Sequence, residues 1–511
     1  MFDKYSYCMK LVKQVERKYS VQQWMIDGVQ IWPILRISSK YKENDESLDV
    51  VNIKSGGENF FRTLYKKFFS LIDIIKRYKF LTQMELKDQA HNDYIDGHRD
   101  IVVLSYSCYR KGKINEDYYF TEIFPFLNKF NGYSYLILES AINDVWKYPR
   151  YGKSVLVDKD KYVVKIMNKF KKFLFFWHDD TLQINCYQQL QEIYQYLEKR
   201  KVGLLSIKRL ISYVHEINDL KPYYLNILKK VTPKIVIIEW YYSIDGFALI
   251  LAAKQLGIPV ADIQHGIQGY NHWAYGDWPS NPSGYQLLPD YFFVWSRVEK
   301  EIIQSWSRLC GDKHRPIITG YQWISMWKTN DLPVEFKKQI NQLKQLISKE
   351  CNENILFSMD YELPNENIIK IIQNSPKNWQ WWIRMHPVMR HRWGEFASKF
   401  EEIFSTANVI WEEASDCALP ALLSFVDLHI TSGSTVARIC QEWGIPSIAE
   451  NSKVQEVYDL NQRLITIVPF EELTIQAIEG ILRQHSGTGE MNSKNEQNEL
   501  DFIKEEILNK G

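Results

Sequence analysis

The chain has 511 residues, of which 45% are hydrophobic and 24% charged, with a formal net charge of +1. That length exceeds one ordinary core and suits two or three domains, while the near-neutral balance sets up no field that would draw in nucleic acid. The seven cysteines are odd in number and none is spaced C-x-x-C, which argues against a disulfide framework or a zinc site and fits a reducing cytoplasm.

The opening residues lack the apolar core of a signal peptide, and no uncharged apolar run reaches the roughly 18 residues of a membrane span. Residues 1 to about 95 read as a helical, basic extension. Within it Phe61, Leu64, Tyr65, Phe68, Ile72 and Ile75 keep a helical apolar stripe interleaved with Arg62, Lys66, Lys67, Lys76 and Arg77. Such a helix packs on the domain with its lysines in water, or lies on an anionic membrane face.

From about residue 100, short apolar runs alternate with helical patterns. The expected strands are 101–105, 133–139, 235–239, 259–263, 291–295 and 316–319, with a helix-rich insertion over about 150–230. After a break near 320–350 a second series follows at 354–358, 381–384, 408–411, 426–430, 446–448 and 464–468. This rhythm means βαβ units and parallel sheets. The reading is α/β: two Rossmann-like lobes over 96–330 and 331–485, then a polar tail over 486–511. Aromatics make up 14% of the chain and fall mostly in periodic apolar positions, which favours cores and interfaces over sugar stacking.

Three polar runs sit at expected strand ends, where open α/β sheets bind ligands. Thr431-Ser432-Gly433-Ser434-Thr435 precedes a helix that ends at Gly444-Ile445-Pro446. Small residues there leave backbone N–H groups for a phosphate, although Ser and Thr also serve as plain helix caps. Arg384-Met385-His386-Pro387 puts two donors two residues apart on an extended segment, facing one side and suited to phosphate oxygens. Gln264-His265-Gly266 ends a first-lobe strand, with Gly266 read as a tight turn that exposes His265. His265 is then a candidate general base for an acceptor hydroxyl, with Glu239 and Asp245 as rivals. The loop from Gly269 to Trp278 carries His272, Trp273 and Tyr275, and is either a lid lining an acceptor site or packed between lobes.

These motifs together resemble glycosyltransferases of the GT-B fold, closest to those of bacterial capsule, O-antigen and teichoic-acid synthesis. Ile26-Asp27-Gly28-Val29-Gln30-Ile31-Trp32-Pro33-Ile34-Leu35-Arg36 also resembles an N-terminal stretch of surface-polysaccharide transferases. The resemblance implies a nucleotide sugar in the second lobe, its phosphate held by Arg384, His386 and Ser432 to Thr435. It implies a glycan or lipid-linked acceptor against Gln264, Gly266, Asp245, Trp273 and Tyr275. The His-Pro and Ser/Thr pairs are similar to those of enzymes using cytidine nucleotides, which places a CMP-linked donor ahead of UDP- or GDP-linked ones. Many relatives need no metal, and the implied enzyme needs neither metal nor cofactor. Relatives often carry an acid five positions before the G-x-P glycine to hold ribose, but this chain has Ile439 there, leaving Arg438 or Glu442 for that contact. The implied place is the cytoplasm, at the inner face of a bacterial membrane. Two other readings stand beside it: a sugar-nucleotide 2-epimerase-like enzyme, and a non-catalytic polysaccharide assembly protein with a decayed site.

Overall fold

The computed structural model describes residues 4–41, 97–141, much of 150–166, 184–484 and 499–509, with brief internal gaps such as 451–463. The expected basic helix over 61–77 lies outside the described residues.

The chain opens with a helix, Lys4–Lys18, then a hairpin of β1 (Met25–Ile26) and β2 (Val29–Gln30) and a helix at Trp32–Ile37. Asp27 and Gly28 both take positive φ at the hairpin turn, the conformation that a tight two-residue connection requires. A short β3 (Lys40–Tyr41) pairs with β9 (Val202–Gly203). Next come β4 (Ile101–Tyr106), a hairpin of β5 (Arg110–Ile114) and β6 (Asp117–Phe120), β7 (Tyr135–Ser140) and β8 (Val155–Leu156). The first series closes with β10 (Ile235–Ile238), β11 (Val260–Ile263), β12 (Tyr291–Val294) and β13 (Arg315–Ile318).

Seven of these strands form one parallel sheet in the order β13-β12-β11-β10-β4-β7-β8. Runs such as Ile101-Val102-Val103-Leu104 are buried on both faces, as continuous β-branched strands between helical layers must be. On one face lie the helices Ile207–Val231 and Ile244–Gln255, in one apolar cluster with Val12, Val15, Trp32 and Leu35 of the N-terminal segment.

The second sheet is also parallel, in the order β16-β15-β14-β17-β18-β19. Its strands are β14 (Glu353–Ser358), β15 (Trp379–Arg384), β16 (Val409–Ile410), β17 (Leu428–Thr431), β18 (Ser447–Ala449) and β19 (Ile465–Ile467). The protein is thus α/β with two Rossmann-like lobes. In each sheet the chain winds out one way, returns, and winds out the other. The reversal falls between β4 and β10 in the first lobe and between β14 and β17 in the second. Ligands of doubly wound sheets bind at the carboxyl ends of such strand pairs.

After β13, Gly320 takes a positive φ of 72° and the helix Gln322–Lys328 leads toward the second lobe. Trp323, Trp327 and Phe336 share an apolar cluster with Leu422, Val436 and Cys440, so the lobes meet on a continuous core. The helical turn Ile503–Leu508 returns to the first lobe, where Glu499 pairs with Lys300 and accepts from the Ile318 amide at 2.9 Å. No described helix is long and apolar enough to cross a membrane.

Candidate active site

At the first-lobe reversal, the hydroxyl of Ser105, near the end of β4, donates to the carboxylate of Glu239, just past β10. Glu239 is fully buried. Tyr109 and Tyr321 stand close enough for its charge to act on them. Burial pushes the Tyr109 phenol far up, and the charge of Glu239 adds to the shift. Tyr321 rises for the same first reason, with Glu122 and then Glu239 contributing. The Tyr321 hydroxyl reaches Glu122 at 3.4 Å.

His265 follows β11, one strand from the reversal. Its ring lies 5.1 Å from that of Tyr109 and 6.2 Å from that of Tyr242. Gln264 is completely buried and braces this turn: its carbonyl accepts from the Trp295 amide at 2.7 Å, and its amide donates to the Gly266 carbonyl at 2.9 Å. It therefore ties β11 to β12 rather than offering an amide to an acceptor. Gly266 corrects the sequence reading. Its backbone is not left-handed and a Cβ there would meet nothing within 4 Å, so the turn does not depend on glycine.

Asp245 is occupied. It pairs with Lys161 at 2.9 Å and accepts from Tyr224 at 2.6 Å. Lys161 also pairs with Asp158 at 2.7 Å. Burial pulls the Lys161 ammonium down, but the two carboxylates outweigh it and raise its pKa. The aromatic loop is packed. Tyr275 and Trp278 are each 1% exposed in the first-lobe core, and Trp273 is half-buried. Fully buried Arg36 fixes the loop, donating to the carbonyls of Gly276 at 2.7 Å and Asp277 at 3.1 Å, pairing with Glu16 at 3.1 Å, and stacking on Trp278. A Cβ at Gly276 would fall 1.9 Å from the Tyr270 carbonyl, so the loop closes on itself only with glycine there. His272 accepts from the Ala274 amide at 3.1 Å, and burial, then the Arg36 charge, lower its pKa to about 4.

In the second lobe β17 runs one residue further than expected and takes in Thr431. Its buried hydroxyl donates to the Ser358 carbonyl at 3.2 Å, across the reversal, and accepts from the amides of Gly433 at 3.3 Å and Ser434 at 2.9 Å. Two of the amides expected to meet a phosphate are thus engaged by the loop itself. Ser434 caps the Val436 amide at 3.3 Å, while Gly433 and Thr435 are exposed. Arg384 points elsewhere than the sequence suggested: it donates to the carbonyls of Ala414 and Cys417, closing the carboxyl end of the helix Glu412–Asp416. His386 is half-buried, and its carbonyl accepts from Met389 at 2.8 Å.

Arg438 and Glu442 pair with each other on the helix Val436–Glu442. With Ile439 they face Trp295, Tyr321 and Lys328 across a cavity of about 40 Å³, room for about one water at roughly 30 Å³ each. Trp295 and Tyr321 stack at 4.0 Å and 11°. The lobes are therefore nearly in contact at this point. A larger hollow of about 640 Å³ opens at the amino ends of β10, β11 and β12 beside Ile507, away from every polar loop described above. Among the described residues no group of three His, Cys, Asp or Glu gathers as a metal site.

Sequence reasoning missed Ser105, Tyr109, Glu122 and Trp295. Ser105 ends an expected strand next to Glu239's, a signal that becomes readable only once β4 and β10 are known to be neighbours. It also missed His429, fully buried on β17 between the hydroxyls of Ser358 at 2.7 Å and Ser447 at 3.0 Å.

No protein-family model and no curated protein matches the chain. Several solved structures are similar at low identity. The UDP-GlcNAc 2-epimerase from Neisseria meningitidis bound to UDP-GlcNAc is 17% identical over 80% of this chain and 100% of its own, with a TM-score of 0.47. The UDP-GlcNAc 2-epimerase from Methanocaldococcus jannaschii is 12% identical over 80% and 99%, with a TM-score of 0.46. The wall teichoic acid polymerase TagF is 12% identical over 88% and 99%, with a TM-score of 0.43. These are likenesses of fold.

Proposed function

We propose that this chain is a glycosyltransferase of bacterial surface-polysaccharide synthesis, with the lobe over 96–330 presenting a glycan or lipid-linked acceptor and the lobe over 331–485 holding a nucleotide-activated sugar. One observation carries the reading: each lobe sets polar groups at its topological reversal, a buried carboxylate in the first and a hydroxyl-rich loop in the second. Two parallel sheets with sites at those ends suit a reaction between two ligands, one per lobe.

In this reading the acceptor hydroxyl gives its proton to Glu239 or His265 as its oxygen attacks the anomeric carbon. The bond from that carbon to the donor phosphate breaks, and the nucleotide leaves with its charge. Ser105 and the tyrosines around Glu239 hold the carboxylate in place and keep water from it. His386 and the hydroxyls of Ser432, Ser434 and Thr435 meet the leaving phosphate, where charge develops. Arg384 acts indirectly, by fixing the helix behind that loop.

The test is two-part. Melting temperatures are taken with CMP, CDP, UDP, GDP, ADP and dTDP, since a ligand at about a hundred times its dissociation constant adds roughly 2.7 kcal/mol. The stabilising nucleotide then defines the sugar donor for a transfer assay with and without acceptor. Sugar transfer that requires acceptor supports the proposal, while turnover of the donor alone assigns a 2-epimerase-like reaction. A second reading, an assembly protein without turnover, is favoured by the internal pairing of Arg438 with Glu442 and by the capping role of Arg384. Stabilisation by none of the nucleotides, with no turnover, selects it.

A further inference from the structure

On the first lobe, away from Glu239, the helix Lys4–Lys18 presents Lys10, Lys13, Gln14 and Arg17 to solvent. Spacings of three, four and seven put these four on one face. The opposite face is fixed: Cys8, Met9, Leu11, Val12 and Val15 are each at most 5% exposed. With Asn271 the four residues line a notch of about 190 Å³, the space of some six waters at roughly 30 Å³ each.

The walls are held. Tyr196 donates to the Gln14 side chain at 2.5 Å. Lys13 pairs with Asp277 at 2.7 Å and its ammonium lies 4.4 Å from the centre of the Tyr270 ring. Lys10 and Arg17 have no acidic partner among the described residues, so two cations converge uncompensated on one small space. Tyr270 stands 51% exposed beside it, in the same loop where Tyr275 and Trp278 are 1% exposed. That loop leaves the His265 turn, and two ring contacts of 6.2 Å, His272 to Tyr242 and Tyr242 to His265, lead from Asn271's neighbour back to the candidate base.

We infer that this notch is an anion site that seats a phosphate or diphosphate group. Lys10 and Arg17 supply the free charge, Asn271 and Gln14 supply amide donors, and Lys13 with Tyr270 forms one wall. The phosphate relieves the repulsion between like charges on one helix face. Within the transferase reading it belongs to the acceptor side, as the phosphate that joins an acceptor to its lipid. The notch does not depend on that reading, because its probe is inorganic pyrophosphate and its readout is binding.

Titration calorimetry of the full chain with pyrophosphate at low ionic strength tests it. The double change Lys10→Ser with Arg17→Ser should weaken binding by about tenfold or more, since each charge-assisted hydrogen bond to an anion is worth roughly that factor. The exchange Lys10→Arg with Arg17→Lys should keep binding, and Lys337→Ser with Lys338→Ser, which removes equal charge from the second lobe, should leave it unchanged. Melting temperatures should match across all four proteins, as the altered side chains are exposed. Equal binding by the wild type and the double serine variant overturns the site, as does absence of binding to the wild type. Binding only to vesicles containing an anionic lipid, with none to pyrophosphate, also overturns it in favour of a diffuse basic surface.

Discussion

The carboxyl edges of the two sheets solve the same problem differently. In the first lobe the polar groups converge: Ser105, Glu239, Tyr109, Tyr242 and His265 come from three strand ends and gather within an aromatic enclosure. In the second lobe they disperse into the fold. Thr431 takes the amides of its own loop, Arg384 closes a helix, and Arg438 pairs along its helix with Glu442. A carboxylate surrounded by phenols has few ways to be satisfied internally, whereas an arginine beside free helix carbonyls has many. Cationic motifs at strand ends therefore read more ambiguously than acidic ones.

The largest expected effect breaks that comparison at its strongest point. Glu239→Gln keeps the volume and the hydrogen bond from Ser105 but removes the carboxylate proposed as the base. Transfer activity should drop on the order of 10²–10⁴-fold, with the melting temperature changed little. If instead His265→Asn produces the loss and Glu239→Gln does not, the base is His265 and Glu239 positions it. Next comes the second lobe. Arg384→Met should cost roughly 2–4 kcal/mol in urea unfolding, because carbonyls that accept from a charged donor lose it, while donor KM in the folded fraction stays near the wild-type value. His386→Ala should do the reverse, lowering kcat/KM at unchanged stability. Equal behaviour of the two variants would mean that Arg384 and His386 act as one unit after all.

Much of this was legible in the chain because it is local. All twelve expected strands of the two sheets are present, since an apolar run bounded by polar turns identifies itself within a few residues. The Arg36 segment was visible as a motif, though its role as the brace of the Gly269–Trp278 loop was not. What escaped depends on pairing between distant residues. Arg110 and Glu139 meet bidentately at 3.0 and 2.7 Å from strands 29 residues apart, and the hairpin carrying Arg110 mixes charges with Gly112 and so shows no clean alternation. The expected end of β17 was one residue short: the strand includes Thr431, and its hydroxyl donates to the Ser358 carbonyl and accepts from amides of the loop that follows. Element type is written in local pattern, but the direction of a terminal side chain depends on where the strand stops.

A smaller effect compares the lobes through their buried histidines. In the first, His314 accepts from the Tyr285 amide at 2.8 Å and lies 2.6 Å from the Pro289 carbonyl; burial, then Lys254, lower its pKa to about 3. In the second, burial lowers His429 to about 3. Unfolded histidine titrates near 6.5, so below that value the unfolded chain binds protons that the folded chain refuses. Stability from these residues is whole above about pH 6.5 and is lost as pH falls toward 3, at up to ~1.4 kcal/mol per unit for each histidine. Urea midpoints at pH 7.5 and 5.5 should show the loss, and His429→Gln should remove one histidine's share. An unchanged slope in that variant would place the acid-sensitive group in the first lobe alone.

The smallest effect lies where the lobes touch. The Lys328 ammonium donates to the main-chain carbonyl of Glu442 and sits 5.3 Å from the centre of the Trp443 ring. It thus meets the carboxyl end of the helix Val436–Glu442, where the backbone dipole favours a cation. Lys328 is exposed, so water replaces much of what Lys328→Met removes, and stability should fall by only about 0.5–1 kcal/mol. The more telling readout is opening. The cavity behind this contact holds about 40 Å³, too little for a sugar nucleotide, so a ligand that enters there must part Lys328 from Glu442. If it does, the variant should bind the stabilising nucleotide a few-fold tighter, because a contact broken on binding no longer opposes it. Weaker binding in Lys328→Met would mean that the contact belongs to the bound state, and that the first lobe, through Trp295 and Tyr321, helps to hold the donor.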